Sequence, residues 1–238
     1  MDEIEKRLRN VEHEIEQARM RREAVLKEEP VQLIAVTKNH DVAAMRRAID
    51  AGVTAIGENR IQEAVGKYEA LERKVQWHLI GHLQTNKAKQ AVRYFDLIHS
   101  IDSEHLAKAV DKAAAAIGKR QDILLQVNLA KEESKSGIYR EELDGLIACV
   151  QELPNLRLRG LMCIAPNYED VEDCRPLFHE MHEIFWQLKG KNMPKANIDY
   201  LSMGMTHDYT IAVEEGANMV RVGTAIFGQR QELAINKF

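Results

Sequence analysis

Short apolar runs alternate with amphipathic segments along the chain from Pro30 onwards. The apolar runs predict eight strands, which read VQLIAVT, TAIG, QWHLIG, DLIHS, DILLQVN, LRLRGLM, IDYLSM and MVRVG. The segments between them have the apolar spacing of helices, as in DVAAMRRAIDAG and SEHLAKAVDKAAAAIG. In the second of these helices, Ser103 is predicted to be the N-cap and Gly118 the residue at which the helix stops.

This alternation predicts a parallel sheet, because each parallel crossover contains a helix. The nearly continuous apolar character of VQLIAV is typical of a strand that is covered on both faces. An open, doubly wound sheet would show the same alternation. The count of eight strands, and the absence of a GxGxxG motif after any of them, favour a (β/α)8 barrel. We predict a single α/β domain of this kind over residues 1–238.

An amphipathic helix precedes the first strand. Its apolar stripe has alternating steps of four and three residues, at Ile4, Leu8, Val11, Ile15 and Ala18. The pattern predicts a helix from about Asp2 to Lys27, as an N-terminal extension over residues 1–28 that packs on the barrel. A dimerising coiled coil is the alternative, although about two and a half heptads is short for one.

Composition narrows the function classes. The 238 residues are 45% hydrophobic and 29% charged, and 33 Lys and Arg against 37 Asp and Glu give a net charge of −4. This balance predicts neither a nucleic-acid-binding surface nor one that binds anionic membranes. No apolar run is long enough to span a bilayer, and the charged start MDEIEKRLRN does not resemble a signal peptide.

Cysteine and histidine spacing predict neither disulfides nor a metal site. The three cysteines, Cys149, Cys163 and Cys174, form no CxxC pair, which indicates a reduced, cytoplasmic protein. His179 and His182 lie three residues apart on a predicted helix, but no third ligand is near them, and His78 and His82 are similarly unsupported. We expect no metal.

Polar residues follow most of the predicted strands, where the active sites of such barrels lie. In strand order these positions are Lys38, Asn59, His78, Ser100, Asn128, Met162, Ser202 and Arg221. Lys38 is the most informative of them. A lysine at the end of a buried strand can extend its amine to solvent. The alternative is a desolvated amine of lowered pKa, suited to forming an imine with a carbonyl compound. Composition does not decide between these two interpretations.

The segments after the last two strands resemble a phosphate site. In SMGMTHD, Ser202 and Thr206 offer hydroxyl groups and Gly204 allows close approach of the backbone. In RVGTAIFG, Gly223 and Thr224 expose backbone N–H groups at the start of the next turn. Barrels of this kind frequently bind phosphate with these two loops. Two tight, glycine-containing turns without a ligand would show the same residues.

Seven motifs together resemble the pyridoxal-phosphate homeostasis proteins, whose barrel is similar to the N-terminal domain of alanine racemases. The motifs are AVTK, GENRIQEA, WHLIGHLQTNK, QVNLAKEESKSGI, GLMCIAP, SMGMTHD and VRVGTAIFG, from Ala35 to Gly228. The resemblance implies that Lys38 holds pyridoxal 5′-phosphate as a Schiff base and that Asn59 lies near the ring. It also implies that Arg221 faces the pyridine nitrogen and that the phosphate is surrounded by Ser202, Gly204, Thr206, Gly223 and Thr224. Thr206 stands where the family usually has serine.

The same resemblance implies a role in vitamin B6 homeostasis, in which the cofactor is buffered, protected or delivered to apo-enzymes that depend on it. Arginine cannot hand a proton to the ring nitrogen, so a ring that faces Arg221 is a modest electron sink. No tyrosine is placed by its sequence position as a second base, and the chain stops at Phe238, about ten residues after RVGTAIFG. We therefore expect a monomer that carries the cofactor. A slow amino-acid racemase or lyase is the second hypothesis, and an aldolase-like enzyme that uses Lys38 is the third.

Overall fold

Eight parallel strands close into a barrel in the computed structural model of the protein, which describes residues 2–191 and 193–228. Each strand pairs with the next along the chain, and β8 pairs with β1. The strands are β1 Gln32–Val36, β2 Ala55–Glu58, β3 Gln76–Leu79, β4 Leu97–Ile101, β5 Gln121–Val127, β6 Leu156–Cys163, β7 Ala196–Met205 and β8 Met219–Val222. The predicted (β/α)8 barrel is confirmed. The predicted domain boundary at residue 238 lies outside the described residues.

Helices follow the strands and cover the outside of the barrel. Those of the described chain are α1 Glu3–Met20, α2 Val42–Asp50, α3 Ile61–Ala70, α4 Ala88–Tyr94, α5 Glu104–Ala115, α6 Leu143–Glu152, α7 Arg175–Lys189, α8 Tyr209–Glu214 and α9 Thr224–Phe227. α5 begins as predicted, because the Ser103 hydroxyl accepts a hydrogen bond from the Leu106 N–H at 3.2 Å. The chain leaves this helix through Gly118, whose φ of +64° suits glycine.

Two apolar clusters hold these layers together. The larger one lies between the barrel and the surrounding helices. The smaller one fills the inside of the barrel with side chains from six strands, namely Ile34, Ala55, Leu97, Leu124, Met162 and Met219. Because side chains alternate between the two faces of a strand, residues two positions after these also face inwards. His99 and Arg221, two positions after Leu97 and Met219, fall in this inward-facing series.

The apolar stripe of α1 is buried against its own chain, where α1 packs on α2, α8 and α9. The predicted helix was too long, since α1 ends at Met20 and a 3-10 turn follows at Ala24–Leu26. The reason is Arg22, which is 3% exposed and donates to the carbonyls of Val213 and Ala217. These contacts turn the chain back onto the barrel.

Neither a membrane-spanning helix nor a cluster of metal-ligating side chains is present among the described residues. Over residues 2–191 and 193–228, no helix has both the length and the apolar character needed to cross a bilayer. The same residues contain no group of three or more His, Cys, Asp or Glu side chains arranged to hold a metal ion. Of the histidines considered above, His179 Nδ1 lies 3.0 Å from a carboxylate oxygen of Glu215, whereas His78 is buried inside the barrel.

Candidate active site at the carboxyl end of the barrel

The closure of the barrel brings together loops from both ends of the chain. β7, β8, β1 and β2 are consecutive around the barrel, so the residues that follow them share one part of its rim. Thr206 and Gly223 are joined directly, because the Gly223 N–H donates to Thr206 Oγ1 at 3.3 Å. Lys38 follows β1, half-buried, and Asn59 follows β2. The loops predicted to bind phosphate therefore lie beside the predicted imine lysine.

Gly204 and Gly223 are constrained differently. Gly204 has a φ of +93°, and a Cβ atom there would lie 2.6 Å from the Cβ of Ala212 and 2.9 Å from the Cα of Tyr209. Gly223 has an ordinary φ of −117°, and its Cβ would lie 3.3 Å from the Val36 carbonyl oxygen. Gly204 is thus required for packing against α8, whereas Gly223 leaves slightly more room at the rim.

This difference gives a stability prediction. Gly204→Ala should lower the free energy of unfolding by about 2–3 kcal/mol, because it combines a strained φ with overpacking. Gly223→Ala should lower it by less than about 1 kcal/mol, because only small shifts of Val36 are needed. Urea unfolding of the two variants beside the parent measures both values. Equal effects would contradict the assigned packing role of Gly204.

A buried ionic network supports the backbone on both sides of Lys38. Lys67 Nζ lies 2.8 Å from Glu58 Oε1, 2.6 Å from Glu63 Oε1 and 2.7 Å from the Thr37 carbonyl oxygen. Thr37 Oγ1 donates to Glu58 Oε1 at 2.5 Å, and the Asn39 N–H donates to Glu63 Oε1 at 2.6 Å. We call Thr37, Glu58, Glu63 and Lys67 the Glu58 network. It fixes the two residues that flank Lys38.

The electrostatics of the Glu58 network follow from its depth. Glu58 is fully buried, and burial raises the pKa of its carboxyl group against the opposing effect of Lys67 and Thr37. Burial also acts on Glu63, but hydrogen bonds from Lys67 and from the Asn39 backbone outweigh it and lower the pKa. Sequence reasoning missed this network. The sequence does contain a sign of it, because Lys67 follows Glu63 of the GENRIQEA motif by four residues, the spacing of an ion pair on one face of a helix.

A second hydrogen-bonded group crosses the inside of the barrel below the rim. His78 Nδ1 lies 2.9 Å from His99 Nε2, and His99 Nδ1 lies 3.0 Å from Ser202 Oγ. Arg221 Nη1 donates to the same Ser202 oxygen at 2.6 Å, and Arg221 Nη2 donates to the Cys163 carbonyl at 2.9 Å. We call His78, His99, Ser202 and Arg221 the Arg221 row. None of its members is more than 3% exposed.

Arg221 is held in this row by neutral acceptors, Ser202 and a backbone carbonyl, and it forms no ion pair within residues 2–191 and 193–228. Asp208 acts on its charge from beyond ion-pair distance. Burial lowers the pKa of its guanidinium. A buried guanidinium with neutral acceptors keeps further N–H groups for a ligand.

The predicted site residues are therefore at two depths. Lys38, Asn59, Thr206, Gly223 and Thr224 lie at or near the rim. Ser202, Gly204 and Arg221 are buried, because β7 continues to Met205 and β8 to Val222. The Ser202 hydroxyl is bonded to Arg221 and His99, which does not support the predicted contact of this hydroxyl with phosphate. His78 also lies inside its strand instead of at the strand end.

Comparisons with known proteins agree with this architecture. The family described as "Alanine racemase, N-terminal domain" matches residues 7–231. The pyridoxal phosphate homeostasis protein of Pasteurella multocida is 40% identical over 224 residues, which are 93% of each chain. That of Escherichia coli K12 is 41% identical over 207 residues, or 85% of this chain and 87% of its own.

Solved structures give the same result. PipY of Synechococcus elongatus, described with pyridoxal phosphate bound, is 38% identical, with a TM-score of 0.82 over 94% of this chain and all of that chain. An alanine racemase of Clostridium difficile shares the fold, with a TM-score of 0.73 at 14% identity. By these matches the chain belongs to the pyridoxal phosphate homeostasis proteins, a branch of the alanine racemase N-terminal domain family.

Proposed function

We propose that this protein binds pyridoxal 5′-phosphate at the carboxyl end of the barrel, covalently linked to Lys38 as a Schiff base. In this proposal the protein buffers the cofactor in the cytoplasm and delivers it to apo-enzymes, with little turnover of amino acids. The observation that carries the proposal is the meeting of Lys38, a buried Arg221 and the Thr206–Gly223 contact at one end of the barrel. The relative with this cofactor bound, 38% identical over nearly the whole chain, supports it.

Asn59 at the rim and Arg221 below it both fit this cofactor. Asn59 Oδ1 is buried and has no hydrogen-bond partner in the described part of the chain, so it can accept a hydrogen bond from a ligand hydroxyl. Arg221 has donors to spare and can bind a ring nitrogen that carries a lone pair. The open acceptor of Asn59 is unusual for a barrel without a ligand, because buried polar atoms are normally satisfied.

The phosphate is assigned to the rim loops. α9 begins at Thr224, and the Ile226 and Phe227 N–H groups of its first turn donate to the Gly223 carbonyl. The N–H groups of Thr224 and Ala225 come before the first intrahelical bond and are the ones assigned to the phosphate. Thr206 Oγ1, which already accepts from the Gly223 N–H, can donate its own proton to a phosphate oxygen. Gly204 contributes through its backbone. Ser202 is reassigned, because its hydroxyl is engaged inside the barrel.

Little turnover of amino acids is expected from the groups that the chain offers around the site. Bound pyridoxal phosphate supplies an electron sink for carbanions, and the sink is strongest when its ring nitrogen is protonated. Arg221 can donate a hydrogen bond to that nitrogen but not a proton. The Tyr209 hydroxyl donates to Glu14 of α1, and the Tyr200 ring lies 4.8 Å from the Arg159 guanidinium. Neither tyrosine is placed to act as a base opposite Lys38.

The decisive experiment uses the protein loaded with pyridoxal phosphate. It is incubated with L-alanine and L-serine in deuterated water, and deuterium at Cα is measured by mass spectrometry. We expect exchange far below the rates of about 1–10³ s⁻¹ that ordinary enzymes reach. Exchange or D-isomer formation at such rates would contradict the carrier role and favour the hypothesis of an amino-acid racemase or lyase.

A companion assay mixes the loaded protein with an apo-enzyme that depends on pyridoxal phosphate. Recovery of that enzyme's activity is expected if the protein delivers the cofactor. A matched amount of loaded protein behind a dialysis membrane controls for release into solution. A protein that takes up no cofactor, but forms a borohydride-trapped adduct with a sugar phosphate, would instead be the aldolase-like enzyme.

A further inference from the structure

The hydrogen bonds of the Arg221 row can run in one direction only. Arg221 has donors and no acceptor, so Ser202 Oγ must accept from Arg221 Nη1. Within the described chain, the Ser202 hydroxyl has one other partner, His99 Nδ1. If His99 donated there, the Ser202 proton would be buried without an acceptor, which is unfavourable. Ser202 therefore donates to His99 Nδ1.

The protonation state of both rings follows from that direction. His99 carries its proton on Nε2 and donates it to His78 Nδ1, so His78 is also the Nε2–H form. Both rings are neutral, since burial lowers the pKa of His78 to about 3 and, with His78 and Arg221 adding to it, that of His99 well below its ordinary value. His78 Nδ1, His99 Nδ1 and Ser202 Oγ thus each accept a hydrogen bond from the side of the row on which Arg221 lies.

This polarity has a consequence for the buried guanidinium. A chain of hydrogen bonds oriented the same way strengthens each of its members. Two fixed acceptors, Ser202 Oγ and the Cys163 carbonyl, set the plane of the guanidinium, and the remaining N–H groups are left for a ligand. Without the row, the plane would have one anchor, the Cys163 carbonyl.

We propose that His99, acting through Ser202, is a positioning residue of the cofactor site, and that the row holds Arg221 against the ring nitrogen of the bound cofactor. The inference rests on the proposed function for the identity of the ligand. It assigns to the two barrel histidines and to Ser202 a role that involves no contact with the phosphate.

The first test needs neither a variant nor the cofactor. Long-range ¹H–¹⁵N correlation spectra of the ¹⁵N-histidine-labelled protein, without pyridoxal phosphate, report which ring nitrogen carries the proton. We expect His78 and His99 to be neutral Nε2–H tautomers at every pH above about 5 at which the protein is folded. A proton on Nδ1 of His99, or a charged ring there, would overturn the row.

The second test measures binding of pyridoxal phosphate and its absorbance maximum in variants. Ser202→Ala and His99→Leu should each raise the Kd on the order of tenfold, as expected for a hydrogen bond to a charged group, and should shift the absorbance maximum. The double variant should be no worse than either single one, since both break the same row. His99→Asn should restore part of the loss, because its amide oxygen can accept from Ser202.

Ser100→Ala is the matched control, since Ser100 is fully buried in β4 and its hydroxyl has no partner among residues 2–191 and 193–228. It should bind pyridoxal phosphate like the parent.

The outcomes separate the inference from the proposed function. If the parent itself takes up no pyridoxal phosphate, the proposed function fails, while the measured tautomers of His78 and His99 still test the Arg221 row. If the parent binds but Ser202→Ala matches it in Kd and absorbance, the inference fails. Circular dichroism verifies the fold of each variant, and should His99→Leu not fold, Ser202→Ala decides.

Discussion

Lys67→Met is expected to lower the free energy of unfolding by about 3–5 kcal/mol. Lys67 is 8% exposed and supplies the positive charge for Glu58, which is fully buried. Methionine has a similar length but no charge, so it leaves the Glu58 carboxylate buried without its ion pair. The Thr37 carbonyl loses its hydrogen bond from Lys67 as well. Urea unfolding followed by circular dichroism measures the change.

A second substitution separates the charge from the packing. Adding Glu58→Leu to Lys67→Met removes the stranded carboxylate, and the double variant should be more stable than Lys67→Met alone. Arg73→Met, which breaks the exposed pair with Asp50, is the surface control and should change stability by less than about 1 kcal/mol. If Lys67→Met were no more destabilising than Arg73→Met, the Glu58 network would not be a significant source of stability.

Lys38→Ala is expected to abolish the covalent link to pyridoxal phosphate while the barrel stays folded. Lys38 is half-buried at the rim, so its loss should change stability by less than about 1 kcal/mol. The amine is the group that can form an imine with the aldehyde, and alanine offers none. The measurement is borohydride reduction of the loaded protein, followed by mass spectrometry of its peptides. We expect a pyridoxyl group on the Lys38 peptide of the parent and none in the variant.

Other lysines near the rim provide the controls. Lys87 lines the cleft beside Asn59, and Lys135 Nζ donates to the Ala165 carbonyl at 3.0 Å. Lys87→Ala and Lys135→Ala should keep the label on Lys38. A label that persists in Lys38→Ala at the parent's level, on either of these residues, would refute the assignment of Lys38.

The barrel was predictable because its signals are local. Each apolar run is a strand in the structure, and Ser103 caps its helix as expected from its position. The rim position of Lys38 followed from the rule that residues after parallel strands meet at one end of the sheet. Gly204 shows the limit of that rule, because its positive φ is explained by packing on α8, which no sequence pattern revealed.

The Arg221 row could not have been predicted in this way. Its hydrogen bonds join pairs of residues that are separated in the sequence by 21, 103 and 19 positions, and they depend on the depth of each strand in the barrel. Ser202 was assigned to the phosphate because SMGMTHD was taken to begin at a strand end, whereas β7 continues for three more residues. Similarly, the end of α1 depends on carbonyls around Val213 and Ala217 that only the folded chain brings to Arg22.

The pairing of β1 with β8 also determines when the site can exist. Lys38 leaves the ribosome well before Gly223 and Thr224, which are among the last of the described residues. A nascent chain therefore carries the amine without the loops assigned to the phosphate, and non-local pairings of this kind form late in folding. A ligand that binds only the closed barrel stabilises it in proportion to the logarithm of its free concentration. Bound pyridoxal phosphate should then slow proteolysis of the finished barrel, because a ligand of the closed state lowers the population of opened forms.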